Sequence, residues 1–254
     1  MAKIISVANQ KGGVGKTTTA VNVSACLALA EKKTLLLDID PQGNSASAVG
    51  IDKRAVERSI YDVLIGKSTA AEATLATEVP FLNFIPATIA LVGAEIELVT
   101  MFSRETRLRD ALESIRDQYD YIIIDCPPSL GLLSINALTA SDSVLIPIQC
   151  EYFALEGLTQ LMGTVNLAQR HLNPKLTIEG AVLTMHDSRL NLSKQVATEV
   201  RKFFNNRVFN TIINRSVRLS EAPSFGKPIV LYDIMSTGAD NYLSLTNELI
   251  GANN

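Results

Sequence analysis

The organisation of this chain depends on a glycine-rich stretch near its start, which reads Gln10-Lys11-Gly12-Gly13-Val14-Gly15-Lys16-Thr17-Thr18. The apolar residues 3–8 before it predict a buried strand, and residues 16–30 after it predict a helix. Glycines between a strand and a helix let backbone N–H groups turn inward around an anion. The positive end of the following helix favours the same anion. The stretch therefore predicts a loop that binds phosphate groups.

The loop departs from the standard phosphate-loop pattern, G-x-x-x-x-G-K-[ST], at its first position. Gln10 stands where the first glycine is expected, and the pair Lys11-Gly12 replaces it. Lys16 is predicted to reach the outer phosphates, and the Thr17 hydroxyl to hold Mg²⁺. The alternative, an ordinary glycine-rich turn, leaves the lysine and threonines at the strand-to-helix junction unexplained. The predicted nucleotide-binding residues are Lys11, Gly12, Gly13, Val14, Gly15, Lys16, Thr17 and Thr18.

Two other predicted strands end in aspartate. Thr34–Asp38 and Tyr121–Asp125 are apolar runs of strand length, and each closes on a carboxylate. Since the carboxyl ends of parallel strands meet at one edge of a sheet, both are expected beside the phosphate loop. Asp40, two residues after Asp38, points the same way on an extended chain. Such carboxylates can hold Mg²⁺ through water. The alternatives are a solvated turn at Asp38 and Asp40 and a helix cap at Asp125.

Further apolar runs alternate with helical patterns along the rest of the chain. Strands are predicted over residues 81–86, 143–148, 177–183 and 208–213, and helices over 104–116 and 154–170. Continuous apolar strands are typical of a parallel sheet that helices cover on both faces. Strands alternating with helices imply right-handed βαβ units. The sequence therefore predicts an α/β fold, with one doubly wound, mostly parallel domain over residues 1–254.

Composition narrows the class of protein. Hydrophobic residues make up 47% of the 254, which is ordinary for a soluble chain with one large core. Cys26, Cys126 and Cys150 are odd in number and far apart, so neither a disulfide framework nor a zinc site is indicated. No apolar stretch approaches the roughly 20 residues of a membrane span, and the N-terminus lacks a signal-peptide pattern. These features favour a cytoplasmic protein.

The charge of the chain is unevenly distributed. The formal net charge is −3. Residues 186–228 contain eight basic and three acidic residues, a net charge of +5, so the remainder carries −8. This basic segment on an acidic protein predicts a surface for a polyanion.

Four longer motifs, together with the loop, resemble a known family. They read Asp40-Pro41-Gln42-Gly43-Asn44, Asp125-Cys126-Pro127-Pro128-Ser129-Leu130-Gly131, Gln149-Cys150-Glu151-Tyr152-Phe153-Ala154-Leu155-Glu156-Gly157 and Val217-Arg218-Leu219-Ser220-Glu221-Ala222-Pro223-Ser224. With Lys11 ahead of the glycines, they resemble the ParA/Soj partition ATPases, which belong to the deviant Walker A group of P-loop ATPases. The resemblance covers essentially the whole chain. No helix-turn-helix extension precedes the first strand, so sequence-specific operator binding is not expected.

The resemblance implies roles for particular residues. Lys11 is expected to cross a dimer interface and touch the partner's ATP, which makes Lys11, Lys16 and Asp40 the catalytic set. Asp40 is expected to position the nucleophilic water. Asp38 and Asp125 are expected to act on Mg²⁺ indirectly, with Asp125 in the Walker B position.

The resemblance places the adenine-facing wall at Met185, Asn214 and Ser216. Here the chain departs from the family, because Asn214-Arg215-Ser216 stands where relatives often have Pro-Arg-Asn. Asn214 either hydrogen-bonds the base or lies in a solvent-facing turn, and the sequence leaves both open.

The resemblance also implies a cycle driven by ATP and Mg²⁺. ATP is expected to join two copies in a homodimer that binds double-stranded DNA without sequence preference and coats the nucleoid. A ParB/Spo0J-type centromere-binding protein is expected to trigger the weak ATPase activity and release the dimer. Related proteins also influence replication initiation, which leaves the replication initiator open as a further partner.

The family's DNA-contacting arginines match Arg189 and Arg218 by position. Arg215 and Lys227 are weaker candidates within the same basic segment. Neutralising backbone phosphates gives affinity that is independent of sequence and sensitive to salt. The alternative for all four is an ordinary surface cation.

Three rival functions fit the sequence less well. A membrane-bound division-site ATPase needs a basic amphipathic end, whereas residues 242–254 contain Glu248 and no lysine or arginine. An iron–sulfur protein needs suitably placed thiolates, and Cys26 and Cys126 fit a buried core better. A DNA-coating protein without activity would not need the catalytic set.

Overall fold

One sheet organises the molecule. The computed structural model describes residues 1–151, 156–205 and 207–252. Within them, eight strands follow the order β3-β4-β2-β5-β1-β6-β7-β8. Every neighbouring pair is parallel except β3 and β4. The strands are β1 (Lys3–Val7), β2 (Thr34–Asp38), β3 (Leu75–Ala76), β4 (Leu82–Ile85), β5 (Tyr121–Asp125), β6 (Ser143–Gln149), β7 (Thr177–His186) and β8 (Val208–Asn214).

The helices connect these strands and cover the sheet. They are α1 (Lys16–Leu29), α2 (Asn44–Ala48), α3 (Ile60–Leu64), α4 (Leu91–Val99), α5 (Arg107–Glu113), α6 (Leu132–Ala140), α7 (Glu156–His171), α8 (Asn191–Phe204), α9 (Val217–Glu221), α10 (Ile229–Tyr232) and α11 (Thr237–Ala252). The predicted doubly wound, mostly parallel α/β fold is confirmed.

The central strands are buried on both faces, which explains their unbroken apolar sequences. In β2, Leu35 and Leu37 pack into one hydrophobic cluster, while Leu36 packs into another cluster. Successive side chains of a strand point to opposite faces. The sheet therefore lies between two apolar layers, and β1 sits near its middle with the glycine loop at its carboxyl end.

Two elements differ from the prediction by more than one residue at an end. The helix predicted over 104–116 spans only Arg107–Glu113. Asn136 of α6 holds its start, since its Nδ2 donates to the Arg104 carbonyl oxygen over 2.8 Å and its Oδ1 accepts from the Leu108 N–H over 3.1 Å. Strand β7 runs beyond the predicted 183, because its neighbours extend with it and pair His186 with Asn214. The helix predicted over 154–170 begins at Glu156 within the described residues, and 154 and 155 lie outside them.

Candidate nucleotide site

The glycine loop forms an open cradle between β1 and α1. Gly13 and Gly15 have φ angles of 73° and 89°, a region where other residues are strained. A Cβ atom at Gly12 or Gly13 would meet nothing within 4 Å. The loop borders a cleft of about 390 Å³ lined by Gly12, Gly13, Gly15, Lys16, Thr17, Thr18, Asp40, Gln42, Asn44, Pro128 and Met185.

A second cavity of about 340 Å³ adjoins the cleft and shares Gly15, Thr18 and Met185 with it. Asn214 and Ser216 line this cavity, so the structure brings all three predicted adenine-facing residues to one place. Asn214 is half-buried, and its backbone N–H donates to Asn241 Oδ1 over 3.0 Å. Met185 has a φ of 51° without being glycine, a strained conformation of the kind that clusters at functional sites. The cavity has the size and partly polar lining of a pocket for a planar base.

Lys16 points into the cleft from the first turn of α1. Its side chain is buried, and its Nζ donates a hydrogen bond to the Lys11 carbonyl oxygen over 2.9 Å. Burial lowers the pKa of the ammonium group, while Asp125 and Asp40 act in the opposite direction. A lysine in these surroundings is a strong partner for an anion that replaces water in the cleft.

Lys11 behaves differently from Lys16. It is absent from the described residues that line the cleft. Its N–H donates to Asn9 Oδ1 over 3.0 Å, and its Nζ lies 3.9 Å from Glu151 Oε2. The Lys11 side chain therefore lies at the rim, where it does not contact the cleft of its own chain.

The aspartates meet at adjacent strand ends, because β2 and β5 pair Asp38 with Asp125. Asp38 is fully buried, and its oxygens accept from the N–H groups of Asp40 and Ser45 over 2.9 and 3.1 Å. Burial and the Asp125 carboxylate raise the pKa of Asp38 well above its usual range. Asp38 thus shapes the loop that carries Asp40, and Asp40 itself lines the cleft.

Asp125 holds an unsatisfied acceptor. Its Oδ2 accepts from Ser45 Oγ over 2.8 Å, while its buried Oδ1 has no hydrogen-bond partner among the described residues. Burial raises the pKa of this carboxyl to about 6, although the nearby Ser45 and Thr17 hydroxyls and Lys16 act to lower it. A buried orphan acceptor is costly, so the atom fits a role toward a group that arrives with the nucleotide.

The surroundings of Asp125 fit a magnesium ion that is held through water. No group of three or more His, Cys, Asp or Glu side chains in the described part of the chain could bind a metal by itself. Mg²⁺ usually keeps several waters and takes one or two protein ligands beside substrate phosphates. Thr17 in the cleft and the free Oδ1 of Asp125 match that donor set.

Sequence reasoning missed the residues that fix the loop from outside. Thr184 of β7 donates its hydroxyl to the Val14 carbonyl oxygen over 2.8 Å. Asn9 Nδ2 donates to the Pro147 carbonyl oxygen over 2.7 Å while its Oδ1 accepts from Lys11. Asn9 could have been identified from the sequence, because it is a polar residue directly before the loop. Nothing local marks Thr184, because it meets the loop only through the order of the strands.

Arg189 follows the carboxyl end of β7, and Arg215 and Arg218 follow that of β8. The two strand ends are adjacent, since the Arg215 N–H donates to the His186 carbonyl oxygen over 3.1 Å. Arg189 is 86% exposed and pairs with Asp187 at 2.7 Å. Arg218 pairs with Glu221 and Asp233 at 3.2 and 3.4 Å. The side chains of Arg189 and Arg218 are themselves exposed, at 86% and 56%, so phosphates in solution can reach them.

The other two DNA candidates lie at different places on this side of the molecule. Arg215 lines the base cavity and lies 3.5 Å from Glu151. Lys227 is exposed and borders a small cavity of about 200 Å³ beside Thr17 and Thr18.

The predicted core role of Cys26 and Cys126 is confirmed, since both are buried and free, and Cys150 is buried and free as well.

Helix α11 packs on α1 and β8, and its Glu248 accepts from the Asn210 N–H over 2.8 Å. Among residues 1–151, 156–205 and 207–252, no helix combines the length and the apolar character needed to cross a bilayer.

A glycine loop at a strand-to-helix junction, a buried lysine and aspartates on neighbouring strand ends define a P-loop ATPase. The extra lysine ahead of the glycines places it in the deviant Walker A group. A family model described as an AAA domain matches residues 2–178. The chain is 61% identical over 249 residues to the sporulation initiation inhibitor protein Soj of Bacillus subtilis, covering 98% of each chain. It is 56% identical over 250 residues to the chromosome partitioning protein ParA of Myxococcus xanthus, covering 98% of this chain and 88% of that protein.

Solved structures agree with this placement. A cobyrinic acid a,c-diamide synthase from Mycobacterium smegmatis with bound ADP and magnesium superposes with a TM-score of 0.88 at 35% identity, covering 98% of this chain and 94% of that one. A putative plasmid partition protein from Borrelia burgdorferi bound to AMPPNP superposes with a TM-score of 0.85 at 25% identity, covering both chains fully. The chain belongs to the ParA/Soj family of partitioning ATPases.

Proposed function

We propose that this protein is an ATP-driven partition switch. It binds ATP with Mg²⁺, pairs with a second copy, and binds double-stranded DNA without sequence preference. Hydrolysis is slow until a ParB-type centromere-binding partner accelerates it, and the released DNA cargo is thereby moved or separated. The observation that carries this proposal is the cleft itself, where Lys16, Thr17 and Asp40 surround one space and the orphaned Asp125 Oδ1 lies beside it.

The two adjoining cavities bind different parts of the nucleotide. The glycine loop and Lys16 bind the phosphates, and the second cavity with Met185, Asn214 and Ser216 takes the base. Thr17 would hold Mg²⁺ through its hydroxyl, and Asp38 and Asp125 would act on the ion indirectly. The ion, when bound, neutralises negative charge on the phosphate oxygens. The relatives solved with ADP, AMPPNP and magnesium support this assignment.

Hydrolysis needs a water placed in line with the outer phosphate. Asp40 is the carboxylate that lines the cleft, and Asp38 holds its loop through the Asp40 N–H. We assign the orientation of that water to Asp40. No arginine is found among the described residues of the phosphate cleft, which supports slow turnover in the absence of a partner protein.

Lys11 makes the self-association of the protein depend on bound ATP. Its side chain at the rim reaches the ATP of a second copy that faces the cleft, so that the homodimer forms only with ATP between the copies. Pairing doubles the basic surface that carries Arg189 and Arg218, and two linked patches bind a polyanion far more tightly than one. Arg215 and Lys227 add to the same surface. ATP thereby controls DNA binding, which places the protein on the nucleoid in the cytoplasm.

One finer point of the proposal follows the family. Control of replication initiation through the replication initiator is a further role that we propose on the resemblance to Soj and ParA alone.

Turnover with and without the partner tests the proposal. ATP hydrolysis by the wild type should be slow, should require Mg²⁺, and should rise with a ParB-type protein and DNA. Asp40→Ala should retain ATP binding and lose both the basal and the stimulated rate. Equal, background-level turnover in the two proteins would instead favour a DNA-coating protein without activity.

A further inference from the structure

The chain makes a tight turn directly after Asp40. The Asp40 carbonyl oxygen accepts from the Gly43 N–H over 2.8 Å, which is the bond that closes a β-turn. Within this turn, Asp40 Oδ1 accepts from the Gln42 N–H over 3.0 Å. The direction of the Asp40 carboxylate therefore depends on how Gln42 is held.

A lysine from another part of the chain holds Gln42 from outside the turn. Lys53 Nζ donates to the Gln42 carbonyl oxygen over 2.8 Å. Because the donor is an ammonium group, this hydrogen bond is charge-assisted and stronger than a bond between neutral groups. Gln42 is thus fixed at its carbonyl group by Lys53 and at its N–H by Asp40.

Gly43 leaves room for the lysine beside the turn. Its φ angle is 60°, in the left-handed region that glycine adopts without strain. A Cβ atom at this position would lie 2.7 Å from the Ala87 carbonyl oxygen and 3.6 Å from Lys53 Cε. The stem of Lys53 therefore packs against the turn at a glycine, which lets its ammonium group reach Gln42.

The neighbouring cation, Arg54, has different contacts. Its side chain is 90% exposed and pairs with Asp52 at 2.9 Å. Asp52 also accepts from the Arg54 N–H over 3.0 Å at the start of the short 3₁₀ helix Lys53–Ala55. Two adjacent cations thus differ in their partners, since Arg54 bonds a carboxylate of its own segment and Lys53 bonds the turn after Asp40.

We propose that Lys53 is a positioning residue for ATP hydrolysis. It holds the turn in the form that presents Asp40 to the cleft, which Asp40 and Gln42 both line. A displacement of about 1 Å at a reacting centre can cost about 100-fold in rate. Lys53 is not among the described residues that line the cleft, so it should affect the rate of hydrolysis and not the affinity for ATP. Lys53 can have this effect only if Asp40 orients the attacking water, so the inference rests on the proposed function.

Three variants test this role in steady-state ATPase assays and ATP titrations. Lys53→Met keeps a side chain of similar length and removes the ammonium group. Its kcat should fall at least about five-fold while its Kd for ATP stays within about two-fold of the wild type. Lys53→Arg keeps a cationic donor and should retain at least about half of the wild-type kcat. Arg54→Met is the matched control, because it removes a positive charge one residue away, and its kcat and Kd should equal those of the wild type.

Hydrogen exchange reports on the turn independently of activity. The amide groups of Gln42 and Gly43 are bonded within the turn. They should exchange at least about three-fold faster in Lys53→Met than in the wild type or in Arg54→Met, because the turn opens more often without its outer bond. Circular dichroism and thermal unfolding check that the variants fold.

Several results would overturn the inference. These are a wild-type kcat or unchanged amide exchange in Lys53→Met, equal losses of kcat in Lys53→Met and Arg54→Met, no advantage of arginine over methionine, or a loss confined to ATP affinity. Asp40→Ala separates the inference from the proposed function. If Asp40→Ala hydrolyses ATP as fast as the wild type, the proposed role of Asp40 is wrong and the inference fails with it. If Asp40→Ala loses turnover and Lys53→Met does not, the inference alone is wrong.

Discussion

The ammonium group of Lys16 donates a hydrogen bond to the backbone carbonyl oxygen of Lys11 across 2.9 Å. Lys16, which is proposed to bind the phosphates, thus contacts the backbone of the residue that is proposed to act in the opposite copy. A phosphate oxygen is a stronger acceptor than a neutral carbonyl because the bond is then charge-assisted. Nucleotide is therefore expected to draw Lys16 away from Lys11, in a loop whose shape is already set.

Substitutions of Lys16 and Lys11 should affect different properties, ATP binding in the first case and dimerisation in the second. Lys16→Ala should weaken ATP binding by at least about ten-fold, because a charge-assisted hydrogen bond contributes about 1.5–3 kcal/mol. Lys11→Ala should bind ATP within about two-fold of the wild type, since its side chain does not line the cleft, yet it should remain a monomer. Titration calorimetry and light scattering measure these two properties. Equal losses of ATP affinity in both variants would contradict the division of roles.

Asp125→Asn should stabilise the nucleotide-free protein and impair turnover. Burial raises the pKa of Asp125 to about 6, so its charged form at pH 7 costs roughly 1–3 kcal/mol of folding free energy. Asparagine removes the charge and can still accept from Ser45. Chemical unfolding at pH 7 measures the gain in folding free energy. A steady-state ATPase assay with varied Mg²⁺ measures the loss of turnover.

The same carboxyl predicts the direction of a pH dependence. Between about pH 4 and pH 6 the folded state binds more protons at Asp125 than the unfolded state, because the pKa in the folded state is raised. The stability of the nucleotide-free protein should therefore fall as pH rises through this window, and Asp125→Asn should reduce that slope. A wild type and a variant with identical slopes would show that Asp125 titrates normally.

Thr184→Val should loosen the loop from outside. The substitution keeps the shape of the side chain and removes the hydroxyl that donates to the Val14 carbonyl oxygen. The loss should be about 0.5–1.5 kcal/mol of stability, with weaker ATP binding as the loop becomes less ordered. Thr198→Val is the control, because the Thr198 hydroxyl bonds a carbonyl within the exposed helix α8. Calorimetric unfolding and ATP titration should show a change in the first variant alone.

The local parts of the site could be predicted from the sequence because residues close to them in the chain determine their structure. Gly13, Gly15 and Lys16 stand at a strand-to-helix junction that neighbouring residues define, and the unbroken apolar run of β5 predicts burial on both faces. Asp125 then follows at a strand end. In all of these, residues close in sequence are also close in space.

The parts that could not be predicted depend on contacts between distant segments. Thr184 reaches the loop because β7 lies two strands from β1 in the sheet order, which no local pattern encodes. Asp38 Oδ2 accepts from the N–H of Ser45 in helix α2, seven residues further along the chain. Asn136, which lies 32 residues from Arg104, bonds the backbone where α5 was predicted to begin. Tertiary contacts of this kind override local helix propensity.

Binding to a random-sequence DNA duplex should be measured with ATP, with ADP and without nucleotide, at two salt concentrations. We expect the protein to bind only with ATP, and we expect salt to weaken the binding. Arg189→Ala or Arg218→Ala should reduce both the affinity and its salt slope, whereas Lys202→Ala, in the same basic segment but on α8, should have little effect. Binding that is independent of the nucleotide, or no binding in any state, would show that the protein is not an ATP-controlled DNA-binding switch.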